Sequence, residues 1–173
     1  MLRSVHRGFT LVELMVTVAV IGLLLVLGVP TMRGVIENSR VRAAGESWQY
    51  GLTLARNEAV RRNARVQFVT SDDGWVVSTM DGTALHTGSG KEGTAALEMT
   101  ITPDDATLVT YDSFGRVVDP NPDDSPTITL IDIESENPPA IDSYRPLRIQ
   151  MLAGGLSRLC DPTLAATDPR ACL

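Results

Sequence analysis

The sequence predicts an α+β fold. One long N-terminal helix, its first half apolar enough to span a membrane, packs through its second half on a mainly antiparallel β-sheet domain. Three observations carry this. An apolar run follows Phe9 and bears no charge from Leu14 to Pro30. Apolar residues recur at helical spacing from Val41 to Ala59. Beyond Arg65, short runs of alternating polarity are separated by turn residues.

The apolar run covers about 21 residues from Phe9, roughly 31 Å as a helix, enough to cross a hydrocarbon core. Arg3 and Arg7 precede it and predict a cytoplasmic N-terminus. A secretory signal peptide would need a small-residue cleavage site after the run. Gly28-Val29-Pro30 is a poor one, and the small residue stands before the run, at Gly8. Next, Val41, Ala44, Trp48, Leu52, Ala55 and Ala59 form one stripe, with Arg40, Arg42, Glu46, Gln49, Arg56, Arg61 and Arg62 on the other faces. One helix is therefore expected from about Thr10 to Arg62, loosened near Pro30 and the glycines at 22, 28 and 34.

The strands come after it. Arg65 to Thr70 alternates, Asp73-Gly74 turns, and Trp75 to Met80 resumes. After a second turn at Asp81-Gly82, residues 83 to 94 are small, polar and glycine-rich, and read as a mobile loop. Leu97 to Ile101, Thr107 to Tyr111 and Thr127 to Ile133 are further strands. Leu147, Ile149 and Met151 alternate with Arg148 and Gln150, and Leu156 to Leu159 returns across Gly154-Gly155. Pro120 and Pro122 exclude residues 119 to 124 from a central strand, and Glu134 to Tyr144 reads as an exposed acidic loop.

Charge is unevenly placed. The net charge is −6, yet from Ser71 onward 17 acidic residues face 6 basic ones, while up to Thr70 the count is 4 against 9. An acidic domain weighs against a nucleic-acid binder with a broadly basic face. Only Cys160 and Cys172 occur; an oxidising compartment would let them pair.

A carboxylate within an apolar segment is expensive and usually functional, which singles out Glu13. Its context, Arg7-Gly8-Phe9-Thr10-Leu11-Val12-Glu13-Leu14, resembles the class III leader of type IV pilins and pseudopilins. The resemblance implies that residues 1–8 are a leader removed by prepilin peptidase between Gly8 and Phe9. It implies N-methylation of Phe9 and a role in assembly for Glu13. The expected organisation is then leader 1–8, membrane half of the helix 9–30, amphipathic half 31–63 and a β-rich periplasmic domain 64–173. Within this group the chain is most similar to the GspH/FimT branch of minor pseudopilins and minor pilins. Ala55-Arg56-Asn57-Glu58-Ala59-Val60, Phe114-Gly115-Arg116 and the Cys160-Asp161-Pro162 to Cys172 tail suggest it.

The remaining candidate residues carry weaker signals. His6 leaves with the leader, and His86 reads as a solvated side chain in a glycine-rich loop. Gly88-Ser89-Gly90-Lys91 is not a phosphate loop, because Leu85 and Glu92 stand where glycine and a hydroxyl are required. No Cys/His spacing suits zinc. Oxygen ligands cluster from Asp119 to Asp124, but their spacing matches no defined calcium loop, so a solvated turn is preferred. Neither a catalytic site nor a cofactor is implied. Some relatives in the FimT branch take up DNA through a C-terminal Gly-Arg-x-Arg motif. Here Gly155-Leu156-Ser157-Arg158 keeps only its first and last residues. Arg145, Arg148, Arg158 and Arg170 could form a phosphate patch, against which stand Asp142, Asp161 and Asp168. The preferred reading is a structural, non-enzymatic subunit. It joins other pilins or pseudopilins in an inner-membrane-rooted filament of a type II secretion system or type IV pilus. DNA uptake is the alternative.

Overall fold

A computed structural model describes residues 9–72, 74–89, 97–138 and 144–172, with the side chains of residues 25–33 excepted. Helix α1 runs unbroken over Leu11–Arg62. Thr10 starts it in an extended conformation, its hydroxyl accepting from the Glu13 N–H while the Glu13 carboxylate accepts from the Thr10 N–H. Asn63 ends it in the left-handed region at φ 49°, and the N–H of Ala64 closes on Ala59 O.

Nine strands follow: β1 Val66–Ser71, β2 Gly74–Thr79, β3 Ala84–Ser89, β4 Leu97–Thr102, β5 Leu108–Tyr111, β6 Val117–Val118, β7 Leu130–Ser135, β8 Leu147–Met151 and β9 Ser157–Cys160. They form two antiparallel sheets, β3-β2-β1-β5-β6 and β4-β7-β8-β9, where the sequence suggested one. Residues 127–129 cross between them. The Ile128 N–H bonds Leu108 O in the first sheet and the Thr129 N–H bonds Thr102 O in the second. That crossing takes the first residues of the expected 127–133 strand out of the ladder.

The predicted stripe is the core seam. Val41, Ala44, Trp48, Leu52, Ala55 and Ala59 are all at most 3% exposed. They meet Phe68, Trp75, Val77, Val109 and Tyr111 of the first sheet and Ile131, Ile133 and Ile149 of the second. Fully burying a Leu52-sized side chain contributes about 2 kcal/mol. Trp48 and Phe68 pack edge to face at 5.8 Å, and Phe68 stacks on Trp75 at 5.9 Å.

The expected mobile loop over residues 83–94 holds strand β3 instead; residues 90–96 lie outside the described residues. Asp81 nucleates the turn, accepting from the Thr83 N–H and the Thr79 hydroxyl. β3 carries no apolar alternation because it is a mostly exposed edge strand. What seats it is Gly88: a side chain there would overlap the Trp75 ring, whose other face lies against Gly51.

The Gly154-Gly155 turn is a joint between the sheets. Both glycines have φ above +80°. A Cβ on Gly154 would meet open space, but one on Gly155 would stand 2.5 Å from the Gly115 carbonyl oxygen. Gly154→Ala should therefore cost about 1 kcal/mol, the backbone term alone. Gly155→Ala should cost at least twice as much, because the β8–β9 turn must also move off the β5–β6 turn. Urea denaturation of the two variants measures the difference.

Candidate functional site: the N-terminal helix and an arginine-lined cleft

The first half of α1 is apolar around its circumference. Leu11, Val12, Leu14, Met15, Val16, Val18, Val20, Ile21, Leu23 and Leu24 are each at least 50% exposed. An all-apolar helix surface of this kind is stable only when covered by lipid or protein. Glu13 is the acidic group within it, engaged with its own first turn at 3.2 Å from both the Thr10 nitrogen and hydroxyl. Phe9 is 89% exposed at the start of the described chain. Gly8 lies outside the described residues, and with it the bond expected to be cut. Among the described residues no helix is long and apolar enough to cross a membrane; residues 25–33, on which that expectation also rests, have no described side chains.

At the other end of α1 two of the segments that suggested the GspH/FimT branch come together. Arg56 Nε donates to Gly115 O at 2.9 Å, and Gly155 packs on the same carbonyl. Glu58, buried, accepts from Arg61 Nη2 at 2.6 Å and Arg62 Nε at 2.8 Å. Hydrogen bonds from Arg61 and then Arg62 hold its carboxyl well below the usual range, at about 2. His86 is not a free loop residue: it sits on β3 with Nε2 3.5 Å from Glu58 Oε1.

The four arginines named from the sequence divide. Arg148 forks onto Asp132 across the β7–β8 pair at 2.6 and 2.9 Å. Arg158 donates to Pro169 O at 2.7 Å. Arg145 and Arg170 instead line a cleft of about 480 Å³, together with Arg42 from the helix. Arg145 Nε lies 3.8 Å from Asp161 Oδ2 and Arg170 Nη2 lies 2.9 Å from Asp168 Oδ2. Arg42 Nε pairs with Glu46 at 2.8 Å. Leu147, Leu159 and Pro169 supply apolar wall. Arg42 lies off the apolar stripe, and its four-residue offset from Asn38, which also lines the cleft, is the sequence signal that puts both on one side of α1.

Cys160 and Cys172 are joined as a disulfide with Cα atoms 5.1 Å apart. The loop between them is held by the Asp161 N–H on Arg170 O and by the Asp161 carboxylate, which accepts from the Thr163 N–H and hydroxyl. A disulfide closing a loop this short contributes about 3 kcal/mol on chain-entropy grounds. The Asp119–Asp124 turn is organised by Asn121, which is 1% exposed. Its amide accepts from the Thr110 N–H and donates to the carbonyls of Ser125 and Pro126. Asp123 is turned onto Ser125. Among the described residues no group of three or more His, Cys, Asp or Glu side chains could hold a metal ion.

Comparison with known proteins agrees with this architecture. The family model described as "Type II transport protein GspH" matches residues 44–155. The chain belongs to the GspH family. The model for the prokaryotic N-terminal methylation motif matches residues 3–29. This GspH-family chain is 30% identical over 95 residues to a type IV major fimbrial protein FimA of Dichelobacter nodosus, an alignment covering 54% of this chain and 57% of that protein. The crystal structure of the type IV minor pilin FimU of Pseudomonas aeruginosa has the same fold, with TM-score 0.57 at 17% identity, over 76% of this chain and 96% of that one. The GspH-family chain thus has the helix-on-sheet fold of pilins, and family and fold are those of structural proteins rather than enzymes.

Glu58 gives a pH test of the helix end. Its folded value is depressed from 4.5 to about 2, so its contribution is complete above 4.5 and is lost as pH falls through about 2. Glu58→Gln should be less stable than wild type at pH 7, with the gap closing between about pH 5 and pH 2. Thermal melts across that range check this.

Proposed function

We propose that the chain is a minor pilin or pseudopilin that prepilin peptidase cuts between Gly8 and Phe9. It then resides in the inner membrane through residues 9–30, with residues 64–173 in the periplasm. From there it enters a filament of a type II secretion system or a type IV pilus. The observation that carries this is the apolar, all-round exposed first half of α1 with Glu13 embedded in it. The match to the methylation motif over residues 3–29 supports the same processing. The family description speaks of type II transport and the solved neighbour is a type IV minor pilin, so the proposal spans both machines.

The chemistry of assembly follows from the capping box. In the separate chain the Glu13 carboxylate is satisfied by Thr10. In a bundle of such helices it can exchange that partner for the Phe9 ammonium of a neighbouring subunit. Each charge alone is unfavourable in an apolar bundle and tolerable when paired, so the pair fixes register.

The arginine geometry favours this structural role over DNA uptake. Arg145, Arg148 and Arg170 each face an aspartate, Arg158 is spent on the Pro169 carbonyl, and Gly155 has a packing reason of its own.

Glu13→Ala should leave cleavage at Gly8 intact and abolish incorporation. The measurement is pull-down of the processed chain with sheared filaments or cross-linked pilins. Normal incorporation of the processed variant would overturn the assigned role of Glu13.

A further inference from the structure

We propose that the chain carries two complementary docking surfaces for a second copy of itself. Arginines at the end of α1 away from its apolar half, on one copy, meet an acidic rung of the second sheet on the next. The acidic half is an anomaly of the ladder. Glu98 of β4 and Glu134 of β7 stand directly opposite each other and both are exposed, on the sheet face turned away from α1. The alternate residues Ile131 and Ile133 are the ones packed on the helix. Like charges at such a rung are destabilising. Among the described residues no cation pairs with either glutamate, and the exposed Glu136 adds to the charge. Arg148, on the same face, is forked onto Asp132.

The arginine half lies at the far end of the helix. Arg56 and Arg65 have no carboxylate partner among the described residues. Arg61 and Arg62 share the one buried carboxylate of Glu58. The Arg61 side chain is 66% exposed, and Arg65 is exposed. Of the other acids at this end, Asp112 is matched by Arg116, and Asp81 is bound into its turn by Thr79 and Thr83. Positive charge is left over, even after Arg61 and Arg62 answer the negative end of the helix dipole.

Position makes the occupant a second copy. The Ser135 hydroxyl donates to Glu37 Oε2 at 3.3 Å, so the acidic rung is level with Glu37 of α1. Arg61 lies about 36 Å further along the helix. Two copies with parallel helices, offset by that length, bring the arginines of one level with the glutamates of the other. Such a contact is heterologous and leaves a free surface at each end, so it propagates rather than closes. It rests on the filament reading only in taking the helices as parallel. A polyanion such as DNA would match the arginines but leave the Glu98–Glu134 rung uncompensated.

The test is sedimentation velocity at low salt on the full chain in detergent, carrying Glu13→Ala so that helix register plays no part. Self-association is expected. It should weaken about tenfold when Glu98→Lys is combined with Glu134→Lys, and likewise when Arg61→Gln is combined with Arg65→Glu. An equimolar mixture of the two double variants should associate again, because each then offers the sign that the other lacks. A misfolded variant is not rescued in this way. At about 1 M salt, where the screening length is about 3 Å, association should be lost. No self-association, loss without recovery in the mixture, persistence at high salt, or binding of single-stranded oligothymidylate in place of self-association would overturn the proposal. Filament entry is read separately, by incorporation of Glu13→Ala, so failure of either reading is distinguishable from failure of the other.

Discussion

Packing along the Val41–Ala59 face of α1 is the constraint on which the domain depends. The two sheets share this surface: Phe68, Trp75 and Val109 press on it from one sheet, Ile131 and Ile149 from the other. A strand pair buried on one face needs something to cover it, and each sheet here is covered by the same helix. The small residues Ala44, Ala55 and Ala59 let backbone approach closely, while Trp48 and Leu52 fill the space between.

A second, smaller junction keeps the sheets in register with one another. The Gly115 carbonyl is approached from one side by the Arg56 guanidinium and from the other by the Gly155 backbone. A helix side chain, a turn of the first sheet and a turn of the second are thereby held at one oxygen atom. Two of the three segments that made the sequence resemble the GspH/FimT branch away from its leader, residues 55–60 and 114–116, meet at this junction.

Much of the architecture was legible because it is periodic. The stripe on α1 repeats at 3.6 residues, and each of its six members is buried. β1 begins in alternation as Val66-Gln67-Phe68, and β8 alternates in polarity throughout. What was not legible depends on contacts far apart in sequence. β3 is an edge strand without alternation, held by a tryptophan ring that reaches Gly88 from the neighbouring strand. Gly155 looked like half of a nucleic-acid motif because its partner, Gly115 O, is 40 residues away. The four arginines do not act as a set: Arg148, on β8, is turned onto Asp132 of β7, Arg145 precedes β8 and lines the cleft, and the helix adds Arg42 there. The apolar first half of α1 was legible at once, since nothing tertiary is needed to see it.

The chain has two tryptophans, and both lie on the seam between α1 and the sheets: Trp48 on the helix and Trp75 on β2, each 3% exposed. Trp75 is sandwiched between Gly51 of the helix and Gly88 of the edge strand. Intrinsic indole emission from this protein is therefore a native gauge of a single event, the seating of the helix on its sheets. It is silent about the exposed apolar half, so a spectroscopist can follow folding of the domain in detergent or lipid without that half contributing to the signal.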